Sequence, residues 1–279
     1  MCIRDRWQGL GYYSRARNLH AAARQVVSRF GGVFPATYGE VRALRGVGDY
    51  TAAAVCSIVY DAPCAVVDGN VYRVLARLFD IGIPIDTTAG KRAFAELAQS
   101  QLDTSRPGLY NQAIMDFGAL QCTPAQPRCG DCPLAGRCLA LAAGTVGVRP
   151  VKQGRGKMRD RWFNYLHVTC GGQTLLHRRG GGDIWQGLYE FPLIETDKAA
   201  DFAELAATAA FRELLGNGRW HLRRSVTMPG HQLSHQLLHA VFHRIECDAM
   251  PAFPSVETAA LGGYALPRLI DRYLTKYQM

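Results

Sequence analysis

Residues Leu44 to Arg77, LRGVGDYTAAAVCSIVYDAPCAVVDGNVYRVLAR, decide how the rest of this chain is read. Gly46-Val47-Gly48 makes a tight turn into an apolar helix over Thr51–Tyr60. A glycine turn ahead of a helix leaves backbone N–H groups pointing outward, where a phosphate can accept them. A strand-like apolar run follows, and then Asp68, a lone carboxylate in Val66-Val67-Asp68-Gly69-Asn70. Two readings of Asp68 stand at this point: a plain N-cap for a helix over Asn70–Phe79, or an acid placed to act on a captured nucleic acid.

The stretch is embedded in helices. Trp7–Phe30, WQGLGYYSRARNLHAAARQVVSRF, passes from an aromatic-glycine loop into a helix whose Leu19, Ala22, Ala23, Val26 and Val27 recur at helical spacing. Tyr38–Leu44, Thr88–Leu102 and Tyr110–Leu120 read as further helices, and no strand pair is evident before residue 143. The last of them runs into Cys122-x6-Cys129-x2-Cys132-x5-Cys138. Four closely spaced, loop-borne thiolates can hold a [4Fe–4S] cluster or a tetrahedral zinc, and spacing alone leaves both open. Cys56, Cys64, Cys170 and Cys247 sit in apolar surroundings and read as small core residues, with Cys2 exposed.

From Gly144 to Arg161 the chain is rich in glycine and basic residues with no apolar period, which reads as a linker. Trp162–Cys170 alternates, Gly171-Gly172 makes a hairpin turn into Thr174–Arg178, Ala199–Leu215 reads as a helix, and Leu233–Ile245 returns to alternation. The second half is α+β. His231, His235, His239 and His243 fall four apart, on one face of a helix or of a strand; a metal site there is the weaker reading.

Across 279 residues the net charge is +9, and the excess is shared: 16 Lys/Arg against 11 Asp/Glu up to residue 150, and 16 against 12 after it. A basic balance of this size suits a polyanionic partner. Nine cysteines without an export signal argue against a disulfide framework. No apolar run reaches membrane-spanning length, so the chain reads as cytoplasmic and nucleoid-associated.

The glycine turn, VDGN, the cysteine spacing and WQGLGYYSRARNL together resemble the adenine DNA glycosylases (the MutY family) of the endonuclease III-like, helix-hairpin-helix superfamily. The resemblance implies a mainly α helix-hairpin-helix glycosylase domain with an iron–sulfur loop over 1–143, a linker over 144–161, and an α+β Nudix-like lesion-recognition domain over 162–279. It implies excision of adenine paired with 8-oxoguanine in double-stranded DNA by hydrolysis of the N-glycosidic bond, by a monomer. Asp68 matches the catalytic aspartate, supported by Tyr50 and Asn70. Gly46, Val47 and Gly48 would hold a phosphate, Tyr12 would wedge into the base stack with Arg15 and Arg17 near the backbone, and Cys122, Cys129, Cys132 and Cys138 would hold a [4Fe–4S] cluster.

Departures from the family are as informative. Glycosylase-lyases carry a lysine two residues after the second hairpin glycine; Tyr50 stands there, so no amine is available for a Schiff base. This disfavours a pyrimidine glycosylase of the endonuclease III type. A Nudix hydrolase needs a carboxylate-rich helix for Mg²⁺, and AFRELLG (210–216) offers only Glu213. Gln232–Gln236 matches the family's Phe-Ser-His loop with Leu233 in place of Phe, which leaves Ser234 and His235 as polar contacts to the lesion. In the family a helix ahead of the Tyr12 segment bears the glutamate that protonates adenine; the first glutamate here is Glu40. MCIRDR therefore reads as foreign sequence joined at a truncation just before Trp7, and the expectation is a chain impaired in activity and stability. A lesion-binding protein without catalysis is the rival from another class.

Overall fold

The computed structural model describes Trp7, Leu10 and residues 12–154, 158–216 and 218–277. The chain divides into two units, one of residues 18–155 and the other of residues 1–17 with 156–279. Expectations placed on MCIRDR and Cys2 lie outside the described residues.

The first unit is helical: α1 (Ser14–Phe30, its first turn counted with the other unit), α2 (Tyr38–Arg42), α3 (Asp49–Tyr60), α4 (Gly69–Leu78), α5 (Thr88–Gln101), α6 (Pro107–Leu120) and α7 (Leu139–Ala142). Local chemistry sets the starts. Thr37 and Thr87 cap α2 and α5 by accepting the Glu40 and Gly90 N–H groups. Proline is tolerated in the first helical turn, so α6 begins at Pro107, three residues ahead of the expected Tyr110. The core packs Ala53 of α3 against Val71 and Leu75 of α4 and Phe94 of α5.

Two expected apolar stripes are not fully buried. Ala52, Ala53, Cys56 and Ser57 of α3 are inside, but Ile58 and Val59 stand 49% and 63% exposed. On α1, Leu19 and Val27 are likewise exposed. The expected linker also shortens. The Ile85 N–H donates to the Val151 carbonyl and the Gln153 N–H to Asp86, so 144–153 is tied to the helical unit. The strand that follows already begins at Arg159.

The second unit is built on β1 (Arg159–Cys170), paired in parallel with β8 (Gln236–Cys247) from Arg159↔Gln236 to Thr169↔Glu246. Between them in sequence come β2 (Gln173–Leu175), β3 (His177–Arg178), β4 (Tyr189–Glu190), β5 (Leu193–Thr196), α8 (Phe202–Ala206), α9 (Ala209–Leu215), β6 (Trp220–Thr227) and β7 (His231–Gln232). β9 (Ser255–Glu257) and α10 (Arg268–Tyr277) follow. The main sheet runs β6-β8-β1-β2-β9, with β5 on β1 and β7 on β8; β3 and β4 form a separate ribbon.

Two cores explain why β1 is buried almost throughout instead of alternating inside and out. Phe163 and Tyr165 face one core with Leu238, Phe242 and α10; Leu166 and Val168 face the other with Leu205, Phe211 and Ile245. Successive strand residues point to opposite faces, so a sheet covered on both sides buries consecutive residues. The expected Ala199–Leu215 helix is two helices, the break capped by Thr208. Cys247 lies in the second core, where Cys170 packs half-buried. Cys56 is buried and Cys64 half-buried in the helical unit.

Candidate active site and cysteine loop

Asp68 occupies the N-cap of α4. Its Oδ1 accepts the backbone N–H groups of Asn70 (2.9 Å) and Val71 (2.8 Å), and its Oδ2 accepts the Asn70 side-chain amide at 2.9 Å. The two readings offered by the sequence are therefore compatible: the cap fixes a half-buried carboxylate where the helix dipole favours negative charge. Asn70 is in turn held by Arg73, whose Nη2 donates to Asn70 Oδ1 at 2.8 Å. The same guanidinium reaches the Cys122 carbonyl (Nε, 2.6 Å) and the carbonyls of Gly69 and Gly118.

One turn on, Arg77 repeats the pattern. It donates to the carbonyls of Thr123 (2.7 Å), Pro124 (2.9 Å) and Val146 (3.0 Å) and to the Cys122 sulfur (3.4 Å). Both arginines are buried, at 8% and 3% exposure. The amphipathic pattern of α4 sends them to the solvent side, which hides them in the sequence. The available signal was their spacing of four in a helix entering a cysteine-rich region.

Asn111, also missed, is buried on α6. It accepts the Val66 N–H and donates to Ser57 and the Cys64 carbonyl, fixing the extended run that delivers Asp68.

The glycine turn forms as expected. Gly46 has φ +80°, and a Cβ there would lie 2.5 Å from the Asn18 Cβ, so both backbone and packing require glycine. Gly48 is the N-cap of α3 with no side chain capping the helix, which leaves first-turn N–H groups open. The Val47 N–H, by contrast, donates within the turn to the Leu44 carbonyl. Asp49 is held by Arg42 (2.5 Å) and Tyr38 (3.2 Å), and the Arg42 bond holds its carboxyl below the usual range. Tyr50 is 43% exposed and its hydroxyl meets the Met115 sulfur at 3.6 Å, not Asp68.

Cys122, Cys129, Cys132 and Cys138 border one cavity with Arg77, Phe117 and Leu134. Burial pushes the Cys129 thiol up, and the three other sulfurs push it further, as they must when the four lie close. Among the described residues no three His, Cys, Asp or Glu side chains are grouped to hold a single metal ion. Soft donors ringing a cavity, with a buried guanidinium beside them, suit a multi-atom iron–sulfur group better than one ion.

In the second unit the wedge segment divides. Tyr12, with φ +44°, is 66% exposed under the Arg15 guanidinium (4.8 Å), whereas Tyr13 is buried with Leu188 and Ala265. Ser234 and His235 are exposed in the turn between β7 and β8, closed by Leu233 N–H to the Gln236 carbonyl. Tyr12, Arg17, Trp185, Leu233 and Ser234 border one cleft. The four histidines do not converge: His239 pairs with Asp160, His243 with Ser225, His231 lies on β7 and His235 in the turn. Glu213 of α9 is exposed, without a second acid on its helix.

Residues 2–99 match the family of HhH-GPD superfamily base excision DNA repair proteins, and residues 164–276 match the NUDIX domain. The chain thus carries an HhH-GPD region followed by a Nudix-like domain. The HhH-GPD match begins ahead of Trp7, where the resemblance was expected to start. Adenine DNA glycosylase of Homo sapiens is 45% identical over 86% of this chain and 51% of its own length. Those of Mus musculus and Arabidopsis thaliana are 46% and 36% identical, over 68% and 72% of this chain. The chain spans about a third to a half of the length of these relatives. A solved thermostable thymine-DNA glycosylase is 32% identical, with a TM-score of 0.43 over 46% of this chain and 59% of its own.

Proposed function

We propose that this chain is part of a base-excision enzyme that removes adenine mispaired with 8-oxoguanine from double-stranded DNA, by hydrolysis of the N-glycosidic bond, and that it is impaired by itself because no residue here matches the family's general-acid glutamate. The observation that carries the reading is Asp68 held by three hydrogen bonds at the start of α4, behind a glycine turn with open N–H groups. As the bond to adenine lengthens, positive charge develops on the sugar, and a preorganised carboxylate opposite it stabilises the transition state. Asn70 holds the carboxylate in that orientation, and the Gly46–Gly48 turn grips a backbone phosphate. Tyr50 supplies no amine, so the product is a free abasic sugar, not a strand break. In the NUDIX unit Ser234 and His235 contact the oxidised base, and Tyr12 fills the space left by the extruded adenine.

Cys122, Cys129, Cys132 and Cys138 are the residues that would hold a [4Fe–4S] cluster. When bound, it supplies structural cross-linking of the loop and negative charge beside Arg73 and Arg77. The protein acts as a monomer in the compartment that holds the DNA, the cytoplasm of a cell without a nucleus.

Single-turnover cleavage of duplexes carrying adenine opposite 8-oxoguanine, with a glutamate-bearing helix of the family restored ahead of the Tyr12 segment, tests the reading. Asp68→Asn is expected to lower the excision rate by about 10²–10³-fold while duplex binding persists. Binding without turnover in both forms would replace the enzyme with a lesion-binding protein.

A further inference from the structure

Val168 of β1 and Ile245 of β8 are partners in the parallel ladder, and both face the second core. Side chains two residues further along a strand return to the same face. Two residues on, β1 ends at Cys170 and β8 at Cys247, and both side chains join that core. The register therefore sets two thiols side by side at the ends of neighbouring strands. Adjacent strands lie about 4.8 Å apart, inside the Cα spacing of about 4.4–6.8 Å that a disulfide spans. Both cysteines are free in this structure, and they are the only two between Arg159 and Tyr277.

The two differ in access. Cys247 is buried at 7% exposure, whereas Cys170, next to the Gly171-Gly172 turn, is half-buried. Burial pushes the Cys247 thiol up, and Cys170 is the second cause, as it must be when the two sulfurs lie close. A small apolar residue would fill either place in the core as well as cysteine does, but only a pair of sulfurs can be joined and released. An oxidant from solvent reaches Cys170 first, and Cys247 is the neighbour in register to receive it.

We propose that Cys170 and Cys247 form a reversible thiol–disulfide site that hydrogen peroxide closes, clasping the end of β1 to the end of β8. The Cys170 thiolate attacks one oxygen of the peroxide and the O–O bond breaks. Cys170 becomes a sulfenic acid, and the released hydroxide takes the thiol's proton to leave as water. The Cys247 thiolate then attacks the Cys170 sulfur, the S–O bond breaks, and a second hydroxide leaves as water with the Cys247 proton. Two electrons pass from the two sulfurs to the peroxide, and a small dithiol returns them. The link closes a loop over residues 171–246, and a long loop restricts the unfolded chain more than a short one. It lies at the end of β8 away from the Ser234–His235 turn and involves neither that turn nor Asp68, so it is independent of the excision reading.

Exposure of the full, reduced, iron-loaded protein to hydrogen peroxide, followed by alkylation of the remaining thiols and fragment mapping, tests it. The tryptic fragment holding Cys170 is expected to be joined to the one holding Cys247, and dithiothreitol to separate them. The thermal midpoint of the NUDIX transition is expected to rise by about 5–10 °C on oxidation. Cys170→Ala and Cys247→Ala are each expected to abolish that rise. Their reduced midpoints, measured alongside, show whether the unit is folded, and the half-buried Cys170 position keeps the test open where Cys247→Ala loosens the core. Cys170 carried on to sulfinic acid beside a free Cys247 thiol would show that the sulfurs do not meet, and overturns the proposal. So does Cys170 joined to a cysteine of the helical unit or of a second chain, or a joined pair whose midpoint does not rise.

Discussion

Each unit holds a pair of buried or half-buried arginines, and the two pairs are neutralised in opposite ways. In the NUDIX unit Arg161 makes two bidentate pairs, with Asp183 (2.7 and 2.8 Å) and Glu195 (2.6 and 2.7 Å). Arg179 joins Asp183 to Glu190. Two cations meet three carboxylates, and the charge is consumed inside the unit. The bonds to Glu195 and Asp183 raise the Arg161 guanidinium and pull the Asp183 carboxyl well down. In the helical unit Arg73 and Arg77 meet main-chain carbonyls, one side-chain amide oxygen and a sulfur, with no carboxylate bonded to either among the described residues. Burial pulls Arg73 below its ordinary value, opposed by Cys122 and Asp68. A buried cation without a carboxylate is costly unless an anion completes its surroundings. Cys122 on one side and Asp68 on the other are the groups within reach that can carry the countercharge, which ties the cysteine loop to the candidate acid through α4.

Removing one arginine from each pair separates the two designs. Arg161→Met leaves Glu195 without its cation and Asp183 with Arg179 alone, and is expected to destabilise the NUDIX unit by about 3 kcal/mol, the low end for a broken buried pair, with iron content unchanged. Arg77→Met leaves the Thr123, Pro124 and Val146 carbonyls without a donor. Its cost is about 1–3 kcal/mol for each buried group that water does not reach, and it is expected to lower iron retention as well. Denaturant unfolding with iron analysis of each purified variant reads both outcomes. Equal iron content in the two variants would break the contrast.

Acid discriminates the units a second way. Burial pushes His167 and His243 of the NUDIX unit down to about 4. Both are buried neutral, each with one ring nitrogen that lacks a partner among the described residues. A lowered histidine contributes stability that is complete above its unfolded value near 6.5 and is lost as pH falls through about 4. Each is expected to withdraw up to about 3 kcal/mol over that window, at 1.36 kcal/mol per pH unit. Unfolding midpoints of the NUDIX transition at pH 7, 5.5 and 4 check the slope; His243→Phe is expected to flatten it.

How much of this was legible in the chain depends on the range of the forces involved. Glycine turns, caps and periodic apolar residues act over a few positions. The Gly46–Gly48 turn, the Asp68 cap and the helix and strand order could accordingly be read from sequence. The cysteine spacing was legible for the same reason. Arg73 and Arg77 were not, because all but two of their acceptors lie 45 to 72 residues away and a charged residue on a helix defaults to the solvent side. Tyr12 and Tyr13 are adjacent and chemically alike, yet one is exposed and one buried; only the left-handed backbone at Tyr12 sets the direction in which each points. The grouping of Tyr13 and Arg17 with the NUDIX unit rests on bonds to the Leu266 and Gln186 carbonyls, 253 and 169 residues away, and carries no local signal.

The smallest effect probes the joint between α4 and α6. Gly118 of α6 lies against Asn70: a Cβ there would sit 2.7 Å from the Asn70 Cβ and 3.0 Å from its carbonyl oxygen. Gly118→Ala sets two terms against each other. Helix propensity favours alanine by about 0.8–1.0 kcal/mol, whereas overpacking costs about 1–3 kcal/mol. The obstructing atoms belong to a Cβ and to backbone, not to the end of a flexible side chain, so overpacking wins and the expected net loss is about 1 kcal/mol. The displaced residue is the one that holds Asp68, so the excision rate is expected to fall further than the lost stability explains. Unfolding midpoints and single-turnover rates on the same preparation measure both. A stabilised variant with an unchanged rate would show that α6 does not press on Asn70, and that Arg73 alone sets its position.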